Sequence, residues 1–135
     1  MSYFINPVGE DQCVFLSYEG EMPVVELSAA RNAVDAVLDQ HHWHRLLVNV
    51  TQLQSVPTAR ELLAFARGLS SIISQTRRVA LVVRPEHERH ARLFQNVARR
   101  GRVFLTYFLD PDKATLWVKQ SPRRQIMGRN GKEKP

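Results

Sequence analysis

The sequence predicts an α/β fold with a mixed, mostly parallel sheet and an N-terminal hairpin, in the order β-β-α-β-α-β-α-β-α. Two nearly continuous apolar runs, 46–50 and 79–83, are typical of strands that are buried on both faces of a sheet. Segments with apolar residues at helical spacing stand before, between and after these runs. Strands that alternate with helices favour right-handed crossovers and therefore parallel pairing.

The first elements are predicted to be an antiparallel hairpin followed by a helix. Residues 3–6 and 12–19 have strand character, and Gly9-Glu10-Asp11 between them has turn chemistry. After Pro23 the apolar spacing becomes helical. One face of this first helix is expected to consist of Leu27, Ala30, Val34, Val37 and Leu38.

Three further helices are predicted from their end signals. Thr58-Ala59-Arg60-Glu61 is a capping box, which predicts that a second helix runs over 59–75. A third helix is predicted over 86–100, with Gly101 as its C-terminal stop, before a last strand over 103–108. Asp110 and Pro111 are a favourable cap and first-turn residue for a short final helix.

Composition and length fit one globular domain in a reducing compartment. The chain has 135 residues, of which 44% are hydrophobic and 24% charged. Its single cysteine, Cys13, allows no intrachain disulfide. The N-terminus lacks the pattern of a signal peptide, and no apolar run approaches the roughly 20 residues of a membrane span. A cytoplasmic location is therefore predicted.

The positive charge is concentrated in a C-terminal tail. Residues 119–135 hold six basic residues against Glu133, a net charge of +5 out of the total of +6. Residues 1–118 are thus nearly neutral and are predicted to form the domain. Within them, the first forty residues lean acidic. The low apolar content of 119–135, with its prolines and glycines, predicts a disordered basic tail.

Several stretches, in their order, resemble a known family. They are Tyr18-Glu19-Gly20-Glu21, the run 46–50, the run 78–83, and the ending 103–118, in which Phe108-Leu109-Asp110-Pro111-Asp112 leads to Ala114 and Trp117. This arrangement resembles the STAS superfamily, named for sulphate transporters and anti-sigma factor antagonists, and within it the SpoIIAA-like branch of small bacterial proteins.

The resemblance implies a regulatory protein-interaction module without enzymatic activity. Such a module would dock a protein partner, or a second copy of itself as a homodimer, through the second helix and the loop 51–58 before it. Some relatives bind nucleotides or apolar ligands, so the resemblance also permits a small-molecule sensor. None of the resembling motifs is catalytic.

One departure from the family concerns its regulatory serine. Antagonists of this superfamily typically carry an Asp-Ser-Ser-Gly-like motif before the second helix, where a kinase phosphorylates the serine. The corresponding loop here lacks that motif but keeps two hydroxyls, Ser55 and Thr58, at a helix N-terminus. A phosphate would be electrostatically favoured at this position. The alternative interpretation is that Thr58 is a plain helix cap.

No catalytic, cofactor-binding or metal-ligating residue is predicted. His41-His42-Trp43-His44 invites a metal hypothesis, but a polar helix end, where His and Arg complement the helix dipole, is preferred. His87-Glu88-Arg89-His90 lacks the four-residue histidine spacing of zinc proteases. No glycine-rich loop follows a strand, so no nucleotide fingerprint is present.

An arginine-rich stretch supports an alternative function. Arg89, Arg92 and Arg99 fall on one face of the third predicted helix, and Arg77, Arg78 and the tail are candidates to extend that face. Such a surface predicts an anionic partner, which could be nucleic acid, an acidic protein or a membrane surface. Without interleaved aromatic residues, nucleic acid is the less favoured partner, and a solvated helix face is the simpler interpretation.

Overall fold

The computed structural model describes residues 3–21, 23–55, 58–61, 64 and 78–120. The strands are β1 (Tyr3–Val8), β2 (Cys13–Glu21), β3 (Arg45–Ser55), β4 (Arg78–Val82) and β5 (Phe104–Phe108). The helices are α1 (Val24–His41), α2 (Glu88–Arg100), which follows a 3-10 turn at Pro85–His87, and α3 (Pro111–Lys119). Residues 59–61 and 64 are also helical, and the remainder of the helix predicted over 59–75 lies outside the described residues.

The five strands form one sheet in the order β1-β2-β3-β4-β5. β1 pairs with β2 in an antiparallel hairpin, and the pairs from β2 to β5 are all parallel. The predicted fold class, a mostly parallel α/β sheet with an N-terminal hairpin, is confirmed.

The two faces of the sheet are covered differently. The two-helix face carries α1 and α2, and it buries Val14, Leu16, Tyr18, Leu27, Ala30, Val34, Leu38, Leu46, Leu53, Val79, Ala98, Val103 and Leu105. The α3 face buries Cys13, Leu47, Ala80, Val82, Ala114 and Val118. The predicted apolar stripe of α1 is confirmed, with Val37 half-buried at its margin.

β3 is longer than the sequence predicted. The predicted strand ended at Val50 and a loop was expected over 51–58, but the strand continues to Ser55 beside the end of β2. Where β2 advances from Ser17 to Glu19, β3 advances from Asn49 to Gln52, so β3 contains an extra residue. Such a bulge interrupts the alternation by which a strand is recognised, which is why the loop prediction for 51–55 was wrong.

A residue other than glycine adopts a left-handed conformation just after each of the two long helices. His42, at φ 58°, closes α1, and Trp43 N donates to Leu38 O at 3.0 Å. α2 ends at Arg100 before the predicted stop, Gly101, but the positive φ of 66° belongs to Arg102. The closing bond runs from Val103 N to Ala98 O at 2.9 Å. These bonds satisfy last-turn carbonyls that a helix otherwise leaves unpaired.

Arg78 is a fully buried arginine at the start of β4. Its exposed fraction is 0%, and its guanidinium lies 3.9 Å from the Trp117 ring centroid and 4.9 Å from that of Phe104. Nε donates to Trp117 O at 2.9 Å and Nη2 to Gln120 Oε1 at 3.2 Å. Burial, and secondarily the charge of Arg45, lowers the pKa of Arg78 from its usual value, although an arginine stays protonated.

These contacts make Arg78 the C-terminal clamp of α3. The last carbonyls of a helix lack partners within the helix and carry partial negative charge. A guanidinium supplies both hydrogen-bond donors and positive charge to them. α3 ends at Lys119, and the clamp also includes Gln120, the residue that follows it. Lys119 Nζ also lies 3.4 Å from Asp11 Oδ2 in the hairpin turn.

We expect Arg78→Lys to lower the free energy of unfolding by about 2–4 kcal/mol, because an ammonium cannot lie against both rings while donating to both oxygens. Urea unfolding followed by circular dichroism measures the loss. Arg100→Lys, at an exposed position in the last turn of α2, is the control and should stay within about 0.5 kcal/mol of the parent. Equal effects of the two substitutions would contradict the clamp.

Candidate docking surface at the carboxyl edge of the sheet

The carboxyl ends of β2 to β5 lie on one edge of the sheet because these strands are parallel. The segments that follow them place four residues at this edge in spatial order: Val25, Thr58, Arg84 and Leu109. We call this surface the carboxyl edge. Binding sites of open α/β sheets are commonly built at this position.

Thr58 begins the helix at Ala59 through the capping box that the sequence predicted. Thr58 N donates to Glu61 Oε1 at 3.0 Å, and Glu61 N donates to Thr58 Oγ1 at 3.2 Å. Both residues are exposed. The interpretation of Thr58 as a helix cap is therefore confirmed, and its hydroxyl is also open to solvent. Ser55 is the last residue of β3, and its side chain lies outside the described part of the chain.

Arg84 joins two neighbouring segments of the carboxyl edge. It follows β4, and its Nη2 donates to the carbonyl oxygen of Leu53 in β3 at 2.7 Å. Its Nε lies 3.7 Å from Glu86 Oε2, and the side chain is about one-third exposed, at 36%. Arg84 was not predicted as a site residue, although its position between a buried strand and Pro85 places it at the carboxyl edge.

A side-chain turn supports the bulge in β3 next to this edge. Asn49 Oδ1 accepts hydrogen bonds from Thr51 N at 2.9 Å and from Thr51 Oγ1 at 2.6 Å. Across the bulge, Gly20 in β2 has a φ of 68°, a conformation that other residues adopt only with strain. The bulge in β3 is thus stabilised by the side chains of Asn49 and Thr51.

Exposed apolar side chains stand at both ends of the carboxyl edge. Val25, in the first turn of α1, is 74% exposed, and Leu109, just after β5, is 43% exposed. Between them lie the polar Thr58 and Arg84. Apolar side chains on either side of polar groups that can donate and accept hydrogen bonds suit a protein–protein interface.

The arginine face of α2 is largely engaged with the fold. Arg99 Nε donates to Leu105 O at 2.9 Å, and its Nη2 donates to Thr106 Oγ1 at 2.6 Å. Arg92 Nη2 lies 3.5 Å from Glu88 Oε2. A hydrogen bond and an electrostatic interaction with Tyr107, and after them the charge of Glu88, raise the pKa of Arg92. Arg89 is exposed.

The idea that Arg78 extends this arginine face is wrong, because Arg78 is buried under α3 on the opposite side of the sheet. Arg77 lies outside the described residues. Arg99 and Gln95 instead form hydrogen bonds with the backbone of the edge strand β5. Arg99 donates to Leu105 O, and Gln95 Oε1 accepts from Tyr107 N at 2.9 Å. Covering the outward backbone groups of an edge strand prevents pairing with a further strand.

The other chemical candidates have structural surroundings. Cys13 is fully buried, and burial raises the pKa of its thiol to about 12, so it is unreactive near neutral pH. The His41 ring stacks on Trp43 at 4.3 Å. Asp110 Oδ1 accepts from Asp112 N at 2.9 Å, as a helix cap should. Within the described residues, no group of three or more His, Cys, Asp or Glu side chains could hold a metal ion.

The fold has a counterpart among solved structures. The crystal structure of an anti-sigma factor antagonist from Mycobacterium paratuberculosis matches with a TM-score of 0.57 and 16% sequence identity, covering 88% of this chain and 96% of that chain. The chain has the STAS-type fold. A scan against protein-family models and a search of the curated proteins give no match. In the described part of the chain, the helices are too short or too polar to cross a membrane.

We expect Arg99→Ala to lower the free energy of unfolding by about 1–2 kcal/mol, because it removes two hydrogen bonds from the edge strand. Arg100→Ala, its exposed neighbour, is the control and should change stability by less than about 0.5 kcal/mol. Chemical denaturation measures both. If Arg99 served anion binding alone, Arg99→Ala would leave stability unchanged and weaken binding of a polyanion such as heparin.

Proposed function

We propose that this STAS-type protein is a non-enzymatic regulatory module that docks a protein partner at its carboxyl edge. The observation that carries the proposal is the exposure of Val25 and Leu109 on either side of Thr58 and Arg84. The fold match supports it, because the matched Mycobacterium paratuberculosis protein is an anti-sigma factor antagonist. By this analogy the partner is an anti-sigma factor, and the module works in the cytoplasm.

The helix that begins at Ala59, with the segment before it, forms the proposed partner contact. Within that segment, Ser55 and Thr58 are the proposed modification or contact residues. Thr58 suits this role because its hydroxyl is exposed at a helix N-terminus, where added negative charge is favourable for the helix itself. A phosphate there would change docking without unfolding the domain. Self-association as a homodimer through the same surface is the alternative form of docking.

The second candidate is an anion-binding accessory protein, which uses Arg89, Arg92 and Arg99 with the basic tail. Its binding would weaken steeply with salt because counterions are released from the polyanion. The hydrogen bonds of Arg99 to β5 weigh against this candidate, since those donors are already engaged. A partner complex that survives high salt favours the protein-docking function over this one.

The docking surface is tested by capturing the partner from the source organism's lysate, at low and high salt, with the full chain and with Leu109→Asp. A charge at an exposed apolar contact should abolish capture of a partner that persists in high salt. Leu116→Asp is the control, because Leu116 is 68% exposed on α3, away from the carboxyl edge. Loss of capture with Leu116→Asp and retention with Leu109→Asp would contradict the proposed surface.

Thr58 allows its capping and docking roles to be separated. Asp and Asn are both good helix caps, so Thr58→Asp and Thr58→Asn should each keep the free energy of unfolding within about 0.5 kcal/mol. We expect Thr58→Asp to weaken partner binding by about tenfold, or ~1.4 kcal/mol, because it places a charge in the interface. Thr58→Asn should bind like the parent. Calorimetric titration with the captured partner measures both, and equal affinities would contradict a regulatory role for this position.

A further inference from the structure

In the described part of the chain, one face of the hairpin is only partly covered. On the two-helix face Tyr18 is buried, and Tyr3 and Ile5 pack against the core. On the other face, Phe4 lies opposite Ser17, and Asn6 lies opposite Phe15. Phe4 is 53% exposed, and Phe15 and Ser17 are half-buried. We call these four residues, Phe4, Asn6, Phe15 and Ser17, the open hairpin face.

The open hairpin face adjoins the cover that α3 provides. α3 packs on β3, β4 and β5, and it reaches Cys13, the first residue of β2. Phe4 and Phe15 sit diagonally across the strand pair on the same face. Phe15 packs at the margin of the α3-face core, and Phe4 stands exposed beside it, so the two make an apolar strip at the edge of that cover. An exposed aromatic ring at the edge of a core is a surface that favours an apolar contact.

The chain leaves α3 beside this strip. Lys119 Nζ lies 3.4 Å from Asp11 Oδ2, and Arg45 Nη1 donates to Asp11 O at 2.8 Å, so the end of α3 is tied to the hairpin turn. Residues 121–135 follow Gln120 directly. Phe15 lies about 7 Å along β2 from Cys13, since a strand rises about 3.3 Å per residue. The six residues from Ser121 to Ile126 can span about 20 Å when extended.

The composition of residues 121–135 matches this surface. Ile126 and Met127 are their two apolar side chains other than prolines, and they are adjacent. Arg123, Arg124 and Arg129 flank that pair, and the segment carries five basic residues against Glu133. Residues 1–40, which include the hairpin, carry seven acidic residues against Arg31. Glu10 and Glu19 are exposed beside the open hairpin face. Opposite charges of this kind steer a tethered segment toward its surface.

We propose that the basic tail, residues 121–135, folds back onto the open hairpin face of its own domain, with Ile126 and Met127 covering Phe4 and Phe15. The acidic hairpin then neutralises the arginines that flank the apolar pair. The tail thereby acts as an intramolecular cover for the strip, separate from the carboxyl edge. Tethering favours this occupant over one in trans, because a short linker holds the segment at an effective concentration in the millimolar range.

Paramagnetic broadening in the full chain tests the contact. A nitroxide is attached at Gly128→Cys, and Cys13 takes no label because it is buried and its thiol pKa is about 12. We expect loss of the amide signals of Phe4 and Phe15, whereas Leu93, exposed on α2, keeps its signal. Adding Ile126→Ser should restore the lost signals, and Gln125→Ser, the matched polar control, should leave them lost.

Three outcomes would overturn the proposal. The first is an unchanged spectrum, which means that the tail does not visit the strip. The second is broadening that disappears when labelled chain is diluted into an excess of unlabelled chain, which means that a second copy supplies the tail. The third is broadening that Ile126→Ser and Gln125→Ser affect equally, which means that charge alone brings the tail near.

Discussion

The contact of Arg78 with Trp117 and Phe104 is the interaction on which the rest of the molecule depends. A buried guanidinium costs free energy unless its donors are satisfied, and here two of its nitrogens bond to oxygens at the end of α3. This arrangement fixes α3 across the strands β3 to β5. Because Lys119 also reaches Asp11, the same helix end positions the hairpin turn. Sheet, hairpin and final helix therefore share one anchor.

The fold could be predicted because its signals are local. Apolar runs identified β3 and β4, and the capping box and the Asp110 cap identified two helix starts whose hydrogen bonds the structure contains. The errors occur where tertiary contacts override local pattern. Residues 51–55 form strand because β2 extends alongside them, and no periodicity in the sequence reports that pairing across a bulge.

The candidate surface was predictable in part. Thr58 was recognised as a hydroxyl on a helix cap, although residues 51–55 of the loop expected before it belong to β3. Arg84, Val25 and Leu109 were missed, because an isolated apolar or basic residue has no pattern until the strand order brings it beside others. Conversely, a row of arginines on one helix face indicated a ligand surface, whereas Arg99 is bonded to the edge strand β5. Spacing identifies which residues share a face and leaves open what that face contacts.

The unequal cover of the two sheet faces connects the fold to both proposals. Crossover helices on the two-helix face leave the opposite face to α3, whose position Arg78 determines, and α3 is too short to cover the hairpin as well. Within the described residues, the strands end at the carboxyl edge in loops and helix starts. An uncovered aromatic strip on the hairpin would compete for that partner's apolar side chains. A cover from the protein's own tail would direct docking to the carboxyl edge, which gives the basic tail a role in specificity without any contact of its own with the partner.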